Sequence, residues 1–545
     1  MGNSIAEIIR SILGNAAYDW LKSNRGKVGA TVSSLLLTLW AAIAEAPAWA
    51  WVLIFLAGFA IIFSIIDFLA RRLHRPSVEI TSGHGLEFLT RAAGETARGE
   101  LPMPPNRCSM RRLLLRICAV SCLTNVVFFA LMLLVQPHPA TILARTAFHA
   151  SGAVVLQPHL ARNDCVVLQM LLNPASSRLK RALAPAVYYR EGWRHPCDVL
   201  RDMVEQGLKP ETVTSGTIVG EGYARYWHGY NVVTALALRV MEVQHFRRLL
   251  LACVGLALGL LALATAHGGV CTRRTGLMIV VTAATLWAVP RFAPEFTFGP
   301  GDAFLIAALA VIPAWPRITV SLETLVFFGA TYGATVVFFE MLTGQLPIAF
   351  AWLGALTLAA ARDEHQPAGM AAAVSVGAAL GAFCLSAVLT VLIKQCLALT
   401  LAEPQAAAAF LGHLQLYSSL PTAEGSSASL LAPFVRMLRE THVLTAGYAA
   451  AGYGLMAATA IGWMAAAGMA WQQRRNVNGQ DRAILLALSL VPVGWVLLLP
   501  THTLLHAWFM VRIMIIPIAL VPVALWWPKT PDHVRQTGVS LTHAG

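Results

Sequence analysis

Runs of about 20 apolar residues recur along most of this 545-residue chain. A helix of that length crosses the roughly 30 Å hydrocarbon core of a bilayer. It also satisfies its own backbone polar groups, which lipid cannot do. Only 12% of the residues are charged, against about 25% in a soluble domain, so a soluble fold would expose too much apolar surface. The sequence therefore predicts an all-α, polytopic transmembrane protein.

We predict about twelve spans, at residues 28–45, 48–70, 117–136, 249–266, 276–290, 303–315, 320–342, 346–361, 368–394, 443–470, 483–499 and 507–526. Short cytoplasmic loops of membrane proteins are rich in Lys and Arg. With a cytoplasmic N-terminus, alternation places most basic residues on that side, among them Arg273, Arg274, Arg362, Arg474 and Arg475. An even number of spans leaves both termini cytoplasmic. These features indicate the inner (plasma) membrane of a bacterium.

The predicted spans divide the chain into regions that differ in their loops. In order, these are an amphipathic segment with a transmembrane hairpin (1–76), a cytoplasmic linker (77–116), a seven-span core (117–394) that contains a long extracytoplasmic loop (137–248), a second extracytoplasmic loop (395–442), C-terminal spans (443–526) and a cytoplasmic tail (527–545). The net charge is +13. Because many basic residues flank apolar runs, they indicate membrane topology and a lipid bilayer partner, not a nucleic acid.

Two of the nine cysteines, Cys165 and Cys197, fall in the first extracytoplasmic loop. That compartment is oxidising in a bacterial envelope. The sequence leaves two alternatives open, a disulfide between them or two free thiols.

Several charged and polar residues are predicted at the outer ends of spans. They are Asp302, Glu340, Lys394, His442, His502 and His506, with Arg512 about one and a half turns inside the last span. Charges at membrane depth are costly and usually face a cavity or pathway within the protein. We therefore expect one polar cavity that opens outward, with Arg512 facing the interior near an acid such as Glu340. For any single residue the alternative is snorkelling or an ordinary contact at a helix end.

The histidine pair and the first outer loop supply further candidates. His502 and His506 are four residues apart on one helix face, so they form either a metal- or phosphate-binding pair or an interfacial pair. Asp164 is either a cap for the helix that follows, or a carboxylate that accepts a hydroxyl proton or binds a divalent metal ion. Tyr226, Trp227 and His228 form either an interfacial aromatic belt or a platform that stacks on a sugar.

Long outer loops at 137–248 and 395–442, on either side of a seven-span core, resemble the GT-C superfamily of polytopic glycosyltransferases. The resemblance covers roughly residues 117–470. It implies a polyprenyl-phosphate-linked sugar donor, transfer at the outer membrane face and a catalytic carboxylate, here Asp164. It also implies a cell-envelope glycan or lipid as acceptor. Asn163-Asp164 stands in place of the family's usual Asp-x-Asp or Glu-x-Asp, and the N-terminal hairpin is additional.

Arg247 and Arg248 lie just before a span on its outer side, against the positive-inside pattern. They are predicted to grip the donor phosphate or to bind lipid headgroups. Two other functions fit the same outward cavity. One is a transporter or flippase for a lipid-linked glycan, and the other is an O-antigen-ligase-like or acyl membrane transferase. The sequence does not specify the sugar or the acceptor.

Overall fold

The computed structural model describes residues 110–135, 138–150, 153–156, 162–172, 177–190, 195–205, 218–222, 224, 227–288, 295–315, 321–339, 342, 344–363, 369–402, 404–419, 431–445, 448–474 and 476–528. The predicted N-terminal hairpin, most of the linker, and the tail from residue 529 lie outside these residues, as do Tyr226, Glu340 and Arg475. The described residues from Ile117 onwards form one compact unit.

Eight helices in the described part of the chain are long and apolar enough to cross a membrane. The chain is therefore a multi-pass membrane protein of almost entirely helical structure. These segments are Leu113–Leu134, Val243–Ala266, Leu322–Phe339, Gln345–Asp363, Ala372–Leu401, Ala449–Gln472, Val477–Leu498 and Ala507–Leu525.

The first long loop is folded into short elements between two spanning helices. After α1 (Met110–Leu134) the elements are α2 (Pro139–Thr146), β1 (Ala147–Ala150), β2 (Ala153–Leu156), α3 (Arg162–Leu172), α4 (Arg178–Leu183), β3 (Ala186–Arg190), α5 (Pro196–Glu205), β4 (Ile218–Gly222) and α6 (Gly229–Val240). Two antiparallel strand pairs form here, β1 with β2 and β3 with β4. The expectation of an all-α protein misses these pairs because each is only four or five residues long.

The remaining elements build the helix bundle. They are α7 (Val243–Ala266), α8 (Val270–Ala288), α9 (Gly299–Leu309), α10 (Val311–Ala314), α11 (Leu322–Phe339), α12 (Gln345–Asp363), α13 (Gly369–Leu401), α14 (Ala406–Ser418), α15 (Leu431–Glu440), a 3₁₀ turn (Thr441–Thr445), α16 (Ala449–Gln472), α17 (Val477–Ser489), α18 (Val491–Leu498), α19 (Pro500–Leu505), α20 (Ala507–Met510), a 3₁₀ turn (Val511–Met514) and α21 (Ile515–Leu525).

Ten of the predicted spans fall in the described part of the chain, and each falls mainly on helix. The span predicted at 276–290 falls mainly on α8, and the one at 303–315 corresponds to the shorter apolar stretch Gly299–Ala314. The total of twelve spans and their orientation remain predictions. The second long loop is also mostly helical, because α13 continues to Leu401 and is followed by α14 and α15.

Cys165 and Cys197 form a disulfide, which answers the question that the sequence left open. Cys165 lies in the first turns of α3, and Cys197 is the second residue of α5. The bond therefore ties the starts of these two helices together. This constraint is local to the outer segment and holds the end of α3 that carries Asp164.

The core of the bundle is α12, most of whose residues are buried. Small side chains along it allow close approach of neighbouring helices, and Gly354 lies directly against the Leu488 side chain of α17. Helices α8, α9, α11, α13 and α17 all pack on α12. Its 19 residues extend over about 28 Å, close to the thickness of the hydrocarbon core.

Paired charges mark the Asp363 end of α12. Arg362 donates from Nε and Nη2 to the two oxygens of Asp481 on α17, both at 2.7 Å. Trp527 donates its indole N–H to the same carboxylate at 3.1 Å. Asp363 accepts the backbone N–H groups of Cys271 and Thr272 at 2.9 and 2.8 Å, which caps α8. These bonds join α8, α12, α17 and the end of α21 on one side of the bundle.

The orientation of the chain can be tested with single cysteines in a cysteine-free background. We expect a membrane-impermeant maleimide to label Ser177→Cys and Gln415→Cys from outside intact cells, because these exposed positions lie in the two long loops predicted to be extracytoplasmic. Arg474→Cys should be labelled only after the membrane is permeabilised. Labelling of Arg474→Cys in intact cells would contradict the topology.

Candidate functional site

Asp164 is the third residue of α3 and is completely buried. Arg247 of α7 donates from Nη2 to its Oδ2, and the backbone N–H of Phe296 donates to its Oδ1 at 2.9 Å. A carboxylate in the first turn of a helix also interacts favourably with the helix dipole. Asp164 therefore acts as more than a local cap, because it joins the outer segment to α7 and to the connection between α8 and α9.

Glu295 lies beside this pair, in the connection between α8 and α9, and only 6% of it is exposed. Asn163 donates from Nδ2 to Glu295 Oε2 at 2.8 Å. Burial, and after it the negative charge of Asp164, raise the pKa of Glu295 to about 8, against the opposing effects of Asn163, Arg247 and Arg512. Glu295 is therefore mostly protonated at neutral pH, next to an Asp164 that is held by a guanidinium.

A second ion pair lies at the start of α9. Arg512 donates from Nη2 to both oxygens of Asp302 at 2.6 Å, and both side chains are buried. The guanidinium carbon of Arg512 lies 4.6 Å from the ring centroid of Phe298. Gln345 donates to Asp302 Oδ1 at 2.9 Å and to the Phe298 carbonyl at 3.1 Å. Arg512 thus faces the interior, as expected, and its acid partner is Asp302.

Residues 295–302 connect the two ion pairs. Phe296 contacts Asp164 at one end of this segment, and Asp302 binds Arg512 at the other. A side chain at Gly301 would overlap the amide of Gln345, so glycine lets that amide reach Asp302. We call Asp164, Glu295, Asp302, Arg247 and Arg512 the carboxylate cluster. It lies at the Gln345 end of α12, about 26 Å along the helix from Arg362.

The two predicted histidines lie next to this cluster. The ring centroids of His502 and His506 are 4.7 Å apart, and His506 stacks on Phe509 at 5.0 Å. Phe509 in turn lies 6.3 Å from Phe298, the ring beneath Arg512. His502 is buried and donates from Nε2 to the Leu342 carbonyl at 3.0 Å. The pair therefore borders the cluster through aromatic contacts.

Other predicted site residues hold the outer segment on the bundle. Lys394 is buried and donates to the carbonyls of Leu183 and Ala224. Its Nζ also lies 5.4 Å from the ring centroid of Trp227. Trp227 donates its indole N–H to Asn125 Oδ1 at 2.9 Å. These residues are part of the packed interior.

The interpretation of Trp227 and His228 as an open stacking platform does not fit the structure. Trp227 is completely buried among Phe128 and Phe338. His228 is also buried, with its Nδ1 2.7 Å from the hydroxyl of Tyr230. The sequence alone does not indicate this burial, because the packing of the folded protein decides which aromatic ring faces remain open.

Arg247 and Arg248, both predicted to bind a donor phosphate or lipid headgroups, lie in two different surroundings. Arg247 is directed towards Asp164, whereas Arg248 is exposed, because successive residues on a helix point about 100° apart.

His442 lies in the 3₁₀ turn after α15, where its Nδ1 donates to the Arg439 carbonyl at 2.7 Å. Among the described residues, no group of three or more His, Cys, Asp or Glu side chains is arranged to hold a metal ion.

Glu295 is the main residue that sequence reasoning missed. It lies in a short connection between two apolar helices, on the side where Asp164 was predicted. The sequence feature that could have identified Glu295 is the presence of an acid in such a connection. Its contact with Asn163, 132 residues away in sequence, could not be read from the chain.

Comparison of the chain with protein-family models, with curated proteins and with solved structures finds no match.

The buried Asp302–Arg512 pair yields a prediction on stability. Arg512→Met leaves a buried carboxylate without its guanidinium, and we expect a loss of about 3–5 kcal/mol in the free energy of unfolding. The double variant Arg512→Met, Asp302→Leu should recover most of that loss, because neither charge remains. Thermal unfolding of the purified protein in detergent measures both. A double variant no more stable than the single one would contradict the pairing.

Glu295 yields a prediction on pH. Because folding raises its pKa, its contribution to stability is complete below its ordinary pKa of 4.5 and is lost as the pH rises through about 8. Glu295→Gln stays neutral, so we expect it to become progressively more stable relative to wild type across this range, by up to a few kcal/mol at about 1.4 kcal/mol per pKa unit. The difference in melting temperature between the two proteins at each pH measures this. A constant difference would show that Glu295 is not held neutral.

Proposed function

We propose that the protein is a membrane glycosyltransferase that moves a sugar from a polyprenyl-phosphate donor to a cell-envelope acceptor. The observation that carries the proposal is the buried pair of carboxylates, Asp164 and Glu295, whose surroundings favour opposite protonation states. Two neighbouring acids whose surroundings favour different protonation states are typical of acid–base catalysis. The loop arrangement that resembles the GT-C superfamily supports the same function, at the extracytoplasmic face of the inner membrane.

In this proposal Glu295 accepts the proton. The acceptor hydroxyl oxygen attacks the anomeric carbon of the sugar as the bond from that carbon to the phosphate oxygen breaks. The hydroxyl proton passes to ionised Glu295, and the phosphate leaves with the bonding electron pair. A base works best when its pKa lies near the working pH, and the pKa of Glu295 is about 8.

Asp164 acts differently from the catalytic carboxylate that the resemblance implies. Both of its oxygens already accept bonds, from Arg247 and from the Phe296 N–H. Its fixed negative charge raises the affinity of Glu295 for a proton. Asp164 is therefore a positioning and tuning residue for Glu295. Arg248, exposed one position after Arg247, is the cation available to a donor phosphate.

The test uses the full chain in detergent with a panel of synthetic polyprenyl-phosphate sugars and an extract of envelope glycolipids as acceptor. We expect turnover to rise with pH towards about 8, as Glu295 ionises. Glu295→Gln should lower it by about 10²–10⁴-fold. Asp164→Asn should also lower turnover and shift the rising limb to lower pH, because the charge that raises the pKa of Glu295 is gone.

Asp198→Asn is the matched control, since it removes a partly exposed carboxylate from the same outer segment. It should turn over like wild type. Near-wild-type turnover of Glu295→Gln would overturn the proposed role of Glu295. Transfer of an acyl group or of a preassembled glycan, with no transfer from any single-sugar donor, would instead indicate the acyl transferase or ligase.

A proton-coupled transporter or flippase is the second candidate, because a buried acid with a pKa near 8 can carry a proton. In proteoliposomes, movement of a lipid-linked sugar that depends on a pH gradient, is lost in Glu295→Gln and occurs without bond cleavage would favour it. Transfer without such a gradient would favour the enzyme.

A further inference from the structure

Helix α15 presents three different faces. Pro433 and Met437 are buried against the bundle. Leu431, Val435 and Leu438 are instead 70%, 46% and 38% exposed, and their spacing places them within about 60° of one another around the helix. We call these three residues the apolar stripe. A row of large apolar side chains on one side of a helix favours an apolar environment over water.

Two arginines form the third face. Arg436 and Arg439 are both exposed, and each directly follows a residue of the apolar stripe. The stripe therefore lies between Met437 and the arginines around the helix. Arg436 Nη2 lies 3.7 Å from Glu440 Oε1, an ion pair near the surface that water screens. An apolar stripe bordered by cations is typical of a helix that lies along a membrane surface.

The chain enters the bilayer directly after α15. The 3₁₀ turn Thr441–Thr445 leads to α16, whose 24 residues extend over about 36 Å, enough to cross the hydrocarbon core. Only 11% of the apolar stretch of α16 is buried inside the protein, so this helix borders lipid along most of its length. Tyr448, just before α16, is 72% exposed, and tyrosine is enriched where hydrocarbon meets headgroups. Helix α15, which also packs on α16, therefore lies at the level of the headgroups.

We propose that α15 docks on the bilayer surface and binds anionic phospholipids there. The apolar stripe enters the acyl chains of the leaflet in which α16 begins, and Arg436 and Arg439 bind the headgroup phosphates. A lipid with a net negative charge complements these two cations better than a zwitterionic lipid does. Helix α15 also packs on α19, on α20 and on the 3₁₀ turn that carries Arg512. The bound lipids therefore lie beside elements that support the carboxylate cluster, but their binding does not depend on any transfer activity.

The experiment uses the full chain in proteoliposomes made mainly of phosphatidylcholine. The variant Val435→Cys, in a background that retains only the Cys165–Cys197 disulfide, is labelled with the fluorophore bimane. Lipids with a nitroxide on the acyl chain quench the label from the bilayer, and iodide quenches it from water. We expect the nitroxide lipids to quench the Val435 label strongly and iodide to quench it weakly. Ile461→Cys, exposed on α16, is the control for lipid, and Ser177→Cys, exposed in the outer segment, is the control for water.

The charge of the lipid is tested with the same label. At equal mole fraction, nitroxide-labelled phosphatidylglycerol should quench as if bound at least about fivefold more tightly than nitroxide-labelled phosphatidylcholine, the effect of one arginine at an anionic surface. The double variant Arg436→Gln, Arg439→Gln should lose this preference and keep its quenching by phosphatidylcholine. Arg201→Gln removes an exposed arginine from α5 and should behave as wild type.

Four outcomes contradict the proposal. Stronger quenching by iodide than by the nitroxide lipids would place the apolar stripe in water. Weak quenching by both would show that protein covers the stripe, as a second copy of this chain would. Equal quenching of wild type by the two lipids would show that α15 does not select anionic headgroups. A preference that survives in the double variant, or that is lost equally in Arg201→Gln, would show that Arg436 and Arg439 are not its source.

Discussion

A charged side chain held away from water needs an opposite charge or several hydrogen bonds, because neither a helix bundle nor the surrounding lipid supplies them. In this protein that requirement is met at both ends of α12. Arg362 and Asp481 pair at one end, and Arg512 and Asp302 pair at the other. Between the two ends the helix is lined by small and apolar residues. The paired charges therefore join α12 to α17 at one end and, through Gln345, to Asp302 of α9 at the other.

The same requirement attaches the outer segment to the bundle. Asp164 needs Arg247 and the Phe296 N–H, and Lys394 needs the carbonyls of Leu183 and Ala224. Each of these bonds joins residues from different elements that are far apart in the chain. The outer segment is thus held by buried polar contacts at several points, while the disulfide fixes only its interior. Rigid support of this kind is what a precise acid–base site needs.

The cluster also explains why one acid differs from its neighbour. Asp164 and Glu295 are both buried, yet only Asp164 has a guanidinium bonded to it. Glu295 has an amide from Asn163 instead, and a negative charge beside it. Burial and like charge both favour the neutral form of an acid. This contrast gives the site its proposed chemistry, in which Glu295 exchanges the proton and Asp164 sets its affinity.

The sequence by itself determined that the chain is a multi-pass helical membrane protein, because apolar length and scarcity of charge leave few alternatives. It also singled out Asp164, Asp302 and Arg512, since charges near the membrane are rare. Only the tertiary structure decided that Asp302 is the partner of Arg512, that Arg247 and not Arg248 meets Asp164, and that Trp227 is packed inside. The physical reason is that pairing and pKa depend on neighbours more than 80 residues apart, which helix packing brings together and periodicity cannot specify.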